Sequence, residues 1–569
     1  MNDFNAQVDE SIAILSDMLM KKRTGHIWRG RLSSSALSTA VTISAFVIGG
    51  NADDKPRIDS SVKWLIANQN SDGGWGDTPE SISNISTTLL SLSAFILSGK
   101  ESDPAAISAR EYIAKVIGNA TIPAHLYKIY GKDRTFAVPI LMNCALAGLV
   151  DWRNIPGLPF ELAAVPGKLY KFLRLQVVSY ALPALIAVGI LLHHKNPVKC
   201  PKRYLRNCVI LKVRAKLIAI QPVHGGYLDA APLTAFTAMS MLSVYPDDPA
   251  GRLALQFLRQ SIRPYGSVPI DTDLAIWATS GTINALATAG LPIENADELA
   301  AWYIKNQYKI IHPFTGAAPG GWGWTDLPGA VPDADDTSGA IIALHKLGIN
   351  TPQDAGINWL INLQNSDGGW PTFCRGWGQL PFDKSTPDIT AHVIRALPLH
   401  PTPATIAACK KGFAYLKSVQ RDNGAWHPLW FGNQNVPGGD NPVFGTARVL
   451  LAYDNIESEQ ADHGEKYLLS AQNSDGGWGG DTGVISTNEE TALAVISLAG
   501  RKKEECKQAT IRGAKYLLNR IASGEITKSS PIGLYFASLW YDEELYPLIW
   551  SLEALGRVRG MTVNSQVNS

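Results

Sequence analysis

The heptapeptide Gln364-Asn365-Ser366-Asp367-Gly368-Gly369-Trp370, QNSDGGW, decides how this chain is read. It recurs letter for letter at Gln69–Trp75 and Gln472–Trp478. Two relatives, QRDNGAW at Gln420–Trp426 and QPVHGGY at Gln221–Tyr227, keep the spacing of Gln, Gly and an aromatic residue. Identical strings of this length in one chain mean internal repetition, so the folding unit is a repeat. The flanks repeat as well. Before each Gln runs a segment with one polar face (SVKWLIANQ, GINWLINLQ, GFAYLKSVQ, GEKYLLSAQ). After each Trp, past a loop, runs a segment that is apolar nearly all round (ISTTLLSLSAFILSG, DITAHVIRALPLH, VFGTARVLLAYD, EETALAVISLAG). The first set predicts outer helices and the second buried ones. Glycine pairs end the outer helix in left-handed conformations. The Gln amide has donors and an acceptor with which to tie neighbouring repeats, and Trp stacks on the junction. Gln364, Gln420 and Gln472 lie 56 and 52 residues apart, room for two helices and their loops. Such hairpins stack into a solenoid or close into an α/α barrel. About eleven inner-helix candidates can be counted, the first opening at Ser35, and two rings of five or six would use them all. No stretch shows sustained strand alternation, so the expected class is all-α.

Composition excludes other classes. The 569 residues carry 51 Lys and Arg against 50 Asp and Glu, a net charge of +1. Nucleic acid is therefore not expected as a partner, because phosphate binding needs a clustered basic excess. Hydrophobic residues at 46% and charged ones at 18% predict a large core. The six cysteines contain no CxxC pair, which disfavours a zinc ribbon or redox motif. A core of this size needs no disulfide framework, so a reducing, cytoplasmic compartment is expected. The N-terminus lacks the basic-then-apolar order of a secretory signal. The longest apolar stretch, Val177–Leu192, has 16 residues, against roughly 20 needed to span a bilayer, and reads as a buried helix. Eight basic residues and no acid follow between Lys195 and Lys216, with apolar residues among them. That block reads either as a solvated basic face or as a surface lying on an anionic membrane.

The chemistry-bearing segment is Pro332-Asp333-Ala334-Asp335-Asp336-Thr337, which opens an inner helix. Asp at a helix start has a structural explanation in capping and in the helix dipole. Crowding and desolvation would also keep at least one of the three acids protonated near neutral pH, the state a proton donor needs. Asp388 and His392 are four residues apart and share a helix face. Alone, His392 reads as a core histidine with satisfied hydrogen bonds. Beside the acid cluster it can bond a carboxylate and stabilise the conjugate base.

Repeated QxxxGGW turns together with PDADDT resemble the squalene–hopene cyclase family of class II terpene cyclases, and the resemblance covers almost the whole chain. HIWRGRLSSSALSTA near residue 26, the VDWR at 150–153 with IPGLPFEL after it, and the stretch from Ile532 to Pro547 also resemble family segments. The resemblance implies two α/α barrels, one inserted in the other: residues 1–24 and 266–569 in the catalytic barrel, 25–265 in the second. It implies protonation of the terminal alkene of a linear polyprenoid, ring closure through carbocations, and no metal or cofactor. Asp335 matches the proton donor, Asp333 and Asp336 the supporting acids, His392 the histidine bonded to the donor, and Asp388 its companion. Trp324, Phe373, Trp430, Trp152, Ile270, Phe536, Trp540 and Tyr541 match cavity positions. Aromatic faces suit this role because they stabilise a cation without trapping it covalently. The implied partner is a hydrophobic polyprenoid, with peripheral contact to the inner membrane face and a homodimer within what the family allows.

Departures from the family pattern reshape the expected cavity. Ile270 stands where the family has Trp, the loop between Trp370 and Asp388 is short, and NQNVPGGDNP is inserted after Trp430. The substrate expected is squalene or a shorter prenyl chain bearing an aromatic head group. The alternative is a class II cyclase of a prenyl diphosphate. Two further classes fit less well. A protein prenyltransferase β-subunit needs a zinc site, and no Asp-x-Cys pair exists. A class I synthase needs DDxxD, and Asp53-Asp54 is followed by Lys-Pro-Arg. A non-catalytic helical scaffold would leave the acid cluster and the aromatic residues without a use.

Overall fold

The computed structural model describes residues 2–131, 134–166, 182–349, 353–373, 383–534 and 539–567. Each repeat turn is built from one hydrogen-bond pattern. The Gln364 amide nitrogen donates to Gly368 O at 2.8 Å, closing its own turn, and to Ala408 O at 2.9 Å in the next outer helix. Gln69, Gln221, Gln420 and Gln472 repeat both bonds. Trp370 is fully buried, its indole donating to Leu360 O and its backbone N–H to Thr390 Oγ1. Gly368 has φ +93°, and a Cβ there would lie 2.5 Å from Lys411 O. A side chain is therefore excluded by backbone conformation and by space together. One further copy escaped the sequence reading. Gln307 donates to Gly320 O, and Trp322 bonds Tyr303 O and Thr337 Oγ1, but a longer loop separates Gln307 from its glycines.

The inner helices close into two rings. In the first, helices Ala275–Thr288, Ala334–Lys346, Pro387–Ala396, Pro442–Leu450, Asn488–Ala499 and Tyr546–Val567 pack in that order, and the last returns to the first. In the second, Ala36–Gly49, Ile85–Leu97, Arg134–Leu146, Leu182–Lys195 and Ala231–Val244 do the same. Among the described residues, six and five make eleven inner helices, against the about eleven that the apolar segments lead one to expect. The N-terminal helix Asn2–Lys21 packs on Tyr546–Val567 among the outer helices of the first ring. One core joins residues between Val8 and Trp28 with residues between Ala275 and Val558; another joins residues between Ala36 and Val268. The fold is thus mostly helical with α/α-barrel architecture.

Among the described residues, two small two-stranded ribbons, too short to leave an alternating pattern, sit where the barrels meet. Ser34–Ser35 pairs antiparallel with Val268–Pro269, tying together the two crossings between the cores. Ile532–Leu534 pairs with Leu539–Tyr541. The described part of the apolar stretch, Leu182–Leu192, is a buried inner helix. Among the described residues no helix is long and apolar enough to cross a membrane. The basic block after it is less unbalanced than its letters suggest, because acids arrive from elsewhere in the fold. Glu161 pairs with Arg206 and Lys202, and Asp248 with Arg214.

Candidate active site

The acid helix Ala334–Lys346 is positioned by the repeat machinery. Thr337 Oγ1 receives the Trp322 backbone N–H at 2.9 Å, and Ala334 N–H donates to Thr372 O at 2.8 Å. Asp333 is its N-cap, extended at φ −135°, with Oδ1 accepting the Asp336 N–H at 2.7 Å. The structural explanation therefore holds for Asp333, which does not make it chemically idle. Asp333 and Asp336 are 3% and 6% exposed, whereas the Asp335 side chain is 18% exposed. Asp335 Oδ1 lies 2.5 Å from His392 Nδ1 and 3.7 Å from Arg448 Nη2.

The electrostatics separate the acids. Burial pushes Asp333 up to about 7, against its hydrogen bonds to Asp336 and with the charge of Asp335 adding to the rise. Burial and the charge of Asp333 push Asp336 well up. These two carboxyls behave as a pair that cannot ionise together. Burial raises Asp388 to about 6, and its Oδ1 accepts the Thr386 hydroxyl, not a His392 proton. Asp335 goes the other way: burial opposes its ionisation, but His392 and then Arg448 and Arg395 outweigh it and hold the carboxyl below its ordinary range. Burial lowers His392 to about 4, with Asp335 pulling back. Asp333, Asp336 and Asp388 are therefore the carboxyls shifted toward the protonated form, and the acid expected as donor is the one whose anion is best stabilised.

Above these acids lies an apolar cavity of about 350 Å³ between the two cores. Of the residues matched by sequence, Asp333, Asp335, Asp336, Trp324, Phe373, Trp430, Ile270 and Tyr541 line it. His392 and Asp388 stand behind Asp335, outside the lining. Two matches stand outside the described lining. Trp152 packs against the second core with Lys195 over its ring, and Trp540 presents its backbone N–H to Asp77 Oδ2; neither is in the lining. For Trp152 the cause is its place in a short turn beyond the inner helices, and for Trp540 the alternation of its ribbon, which gives the cavity Leu539 and Tyr541 instead. Phe536 lies outside the described residues.

The structure adds residues that sequence reasoning missed. Trp277 lines the cavity and meets His392 edge-on at 6.0 Å, with Arg448 over its face at 5.8 Å. Phe431 and Tyr546 complete an aromatic wall with Phe444 and Trp550. Trp324, Phe373 and Trp430 form a second wall through edge contacts of 6.2 and 5.5 Å, and the Trp430 indole is fixed by Thr372 Oγ1. The signal for Arg448 was a charge inside the otherwise apolar VFGTARVLLAY. Leu37, Leu90, Phe136 and Phe236 come from the second barrel, so the cavity belongs to both.

Residues 274–560 match the squalene–hopene cyclase C-terminal domain and residues 13–216 the N-terminal domain. The chain is 25% identical to the enfumafungin synthase of Hormonema carpetanum over 86% of its own length and 43% of that protein's, so it spans under half of that synthase. It is 26% identical to the copalyl diphosphate synthase of Streptomyces cyslabdanicus, over 85% of this chain and 84% of that one. Among solved structures, the ent-copalyl diphosphate synthase from Streptomyces platensis matches 97% of this chain and 99% of its own with a TM-score of 0.60 at 19% identity, a likeness of fold.

Proposed function

The chain belongs to the squalene–hopene cyclase family of class II terpene cyclases, and from that premise we propose that Asp335 protonates the terminal alkene of a linear polyprenoid. The carrying observation is that, of the three acids lining the cavity, Asp335 has the most exposed side chain and is the one bonded by His392. An alkene is a very weak base, so the donor must be a strong acid, and stabilising its conjugate base makes it one; the proton it delivers is drawn from the neighbouring Asp333 and Asp336 carboxyls, which burial keeps protonated more readily. His392 and Arg448 do this for Asp335. The alkene π pair takes the proton and leaves a cation, which the next double bond attacks to close a ring. Trp324, Phe373, Trp430, Trp277 and Phe431 offer π faces to the moving charge, and the apolar lining keeps water from quenching it.

The lining favours a substrate without a diphosphate. Among the described residues the apolar cavity has no Lys or Arg, and the polar cavity beside it sets Arg31 and Arg263 against Asp229, Asp271, Asp542 and Glu544. A diphosphate would meet four carboxyl groups and only two guanidinium groups there. Squalene, or a shorter prenyl chain with an aromatic head group, fits this better. A class II cyclase of a prenyl diphosphate is the second reading, supported by the length of the match to the copalyl diphosphate synthase. A peripheral membrane contact accompanies either substrate. On helix Lys202–Ala219, Tyr204, Leu211 and Ile218 are 73%, 76% and 43% exposed, with Arg203 and Lys212 beside them, the pattern of a helix lying in a bilayer interface.

The test offers squalene, geranylgeranyl diphosphate and a farnesylated benzoate side by side, with products identified by mass spectrometry. The expected result is a cyclic isomer from one of the two diphosphate-free substrates, and unreacted substrate with Asp335→Asn. Cyclisation by that variant removes the donor assignment. Turnover of the diphosphate alone selects the second reading.

A further inference from the structure

Two cavities meet at one carboxylate. The apolar cavity and the neighbouring polar cavity, of about 480 Å³, share Leu32 and Asp271 in their walls and no other described residue. Leu32 has no polar side-chain atom, so Asp271 is the functional group that touches both spaces. Its backbone is fixed by a bridge to Ala230 and by the Ala231 N–H bonded to Ile270 O at 3.0 Å. Its Oδ1 accepts the Thr272 N–H at 2.6 Å. In the polar wall next to it, Asp229 is fully buried. Asp229 Oδ1 bonds His224 Nε2, and Oδ2 has no hydrogen-bond partner. Leu228 and Asp229 both hold left-handed backbone, at φ +57° and +52°, a strained arrangement for consecutive non-glycine residues. The exposed Tyr265 and Thr272 on the same wall bring the polar cavity to the surface.

Cyclisation of this kind takes up one proton at Asp335 and must release one elsewhere for the product to be an isomer. The initiating end is already crowded with Asp333, Asp336 and His392. Resting on the cyclase reading, we propose that Asp271 is the base that ends the reaction. The C–H bond next to the final cation breaks, and its electron pair becomes the new C=C bond. The proton passes to the Asp271 carboxylate, making it a carboxylic acid, and leaves through the polar cavity past the unpartnered oxygen of Asp229. Burial and the charge of Asp229 push the Asp271 carboxyl well up, so it first sheds its resting proton into the polar cavity, and the anion left is then a strong base. A cation in the adjoining cavity favours that ionised form.

The test compares product ratios of the parent and Asp271→Asn on the same polyprene, normalised to substrate consumed. The parent's main alkene is expected to fall by about tenfold or more against other isomers and water-capture alcohols when the positioned base is lost. An unchanged ratio in a variant that melts like the parent overturns the inference and leaves the cyclase reading intact. If Asp271→Asn does not fold, Asp229→Asn decides, because Asn tolerates the left-handed backbone. A smaller shift in the same direction supports the proposal, and a parental ratio overturns it. A parent protein that cyclises no polyprene at all removes the reading beneath and this inference with it.

Discussion

Protonating an alkene demands an acid stronger than an ordinary carboxyl, and Asp335, the donor proposed above, has surroundings that stabilise the anion it would leave behind. His392→Ala removes the closest stabilising partner, 2.5 Å away. The variant is expected to lose about 10²–10⁴-fold in kcat, read by product formation at saturating substrate, while its thermal midpoint stays near the parent's. Loss of fold in place of loss of rate would mean that His392 serves packing alone. Asp333 gives a second prediction. Folding raises its carboxyl from 3.8 to about 7, so the native state holds this proton more tightly than the unfolded chain does. Stability from this group is present below about pH 4 and is lost as pH climbs to about 7. Asn caps a helix as well as Asp, so Asp333→Asn keeps the cap and avoids the loss. Its advantage in urea denaturation over the parent should grow from pH 5 to pH 7 by on the order of 1 kcal/mol per unit. A constant difference would place the proton elsewhere. The acids and His392 were legible in the sequence because a compact motif carries them. Arg448 and Trp277 were not, since each reaches Asp335 or His392 only when separate inner helices are brought together.

The repeat turn is where sequence and element are most tightly bound, because one hydrogen-bond pattern demands the same letters each time. Gly368→Ala forces a side chain into φ +93° and against Lys411 O. Gly438→Ala meets a similar φ of +87° with nothing within 4 Å. The second should cost about 1–2 kcal/mol for backbone conformation alone, and the first several kcal/mol because steric overlap is added. Equal losses in chemical denaturation would mean that the turn can open without breaking the repeat. The Gln307 copy shows the limit of such reading: its bonds are intact, but a loop between Gln and Gly breaks the spacing a reader searches for. Trp152 and Trp540 sit on a turn and a ribbon strand outside the described lining, a placement their letters alone do not carry. The helix Lys202–Ala219 carries its own prediction. Leu211→Glu places a charge on the exposed apolar stripe and should weaken co-sedimentation with anionic vesicles by about tenfold, the loss of roughly one buried aliphatic side chain. Unchanged sedimentation would return this face to the solvent.

At the scale of the molecule, the acid proposed as donor lies on one barrel while much of the wall facing it comes from the other. Leu37, Leu90, Phe136 and Phe236 of the second core stand across the cavity from Asp335, Trp324 and Trp430 of the first. The rings themselves could be foreseen by counting apolar segments. Their mutual placement could not, because it is fixed by the few pairings of the Ser34–Ser35 and Val268–Pro269 ribbon and by single bonds such as Trp540 N–H to Asp77. A ligand seated between the barrels must therefore stabilise both at once, since it binds only the state in which they are docked. Asp335→Asn allows this to be measured without turnover, because the amide keeps the side chain's size while lacking the acidic proton. In hydrogen exchange with saturating polyprene, slowed exchange should appear together on Ala334–Lys346 and Pro442–Leu450 in the first ring and on Ile85–Leu97 and Ala231–Val244 in the second. Protection confined to the first ring would put the substrate inside one barrel, and the second would then be a scaffold and not half of the active site.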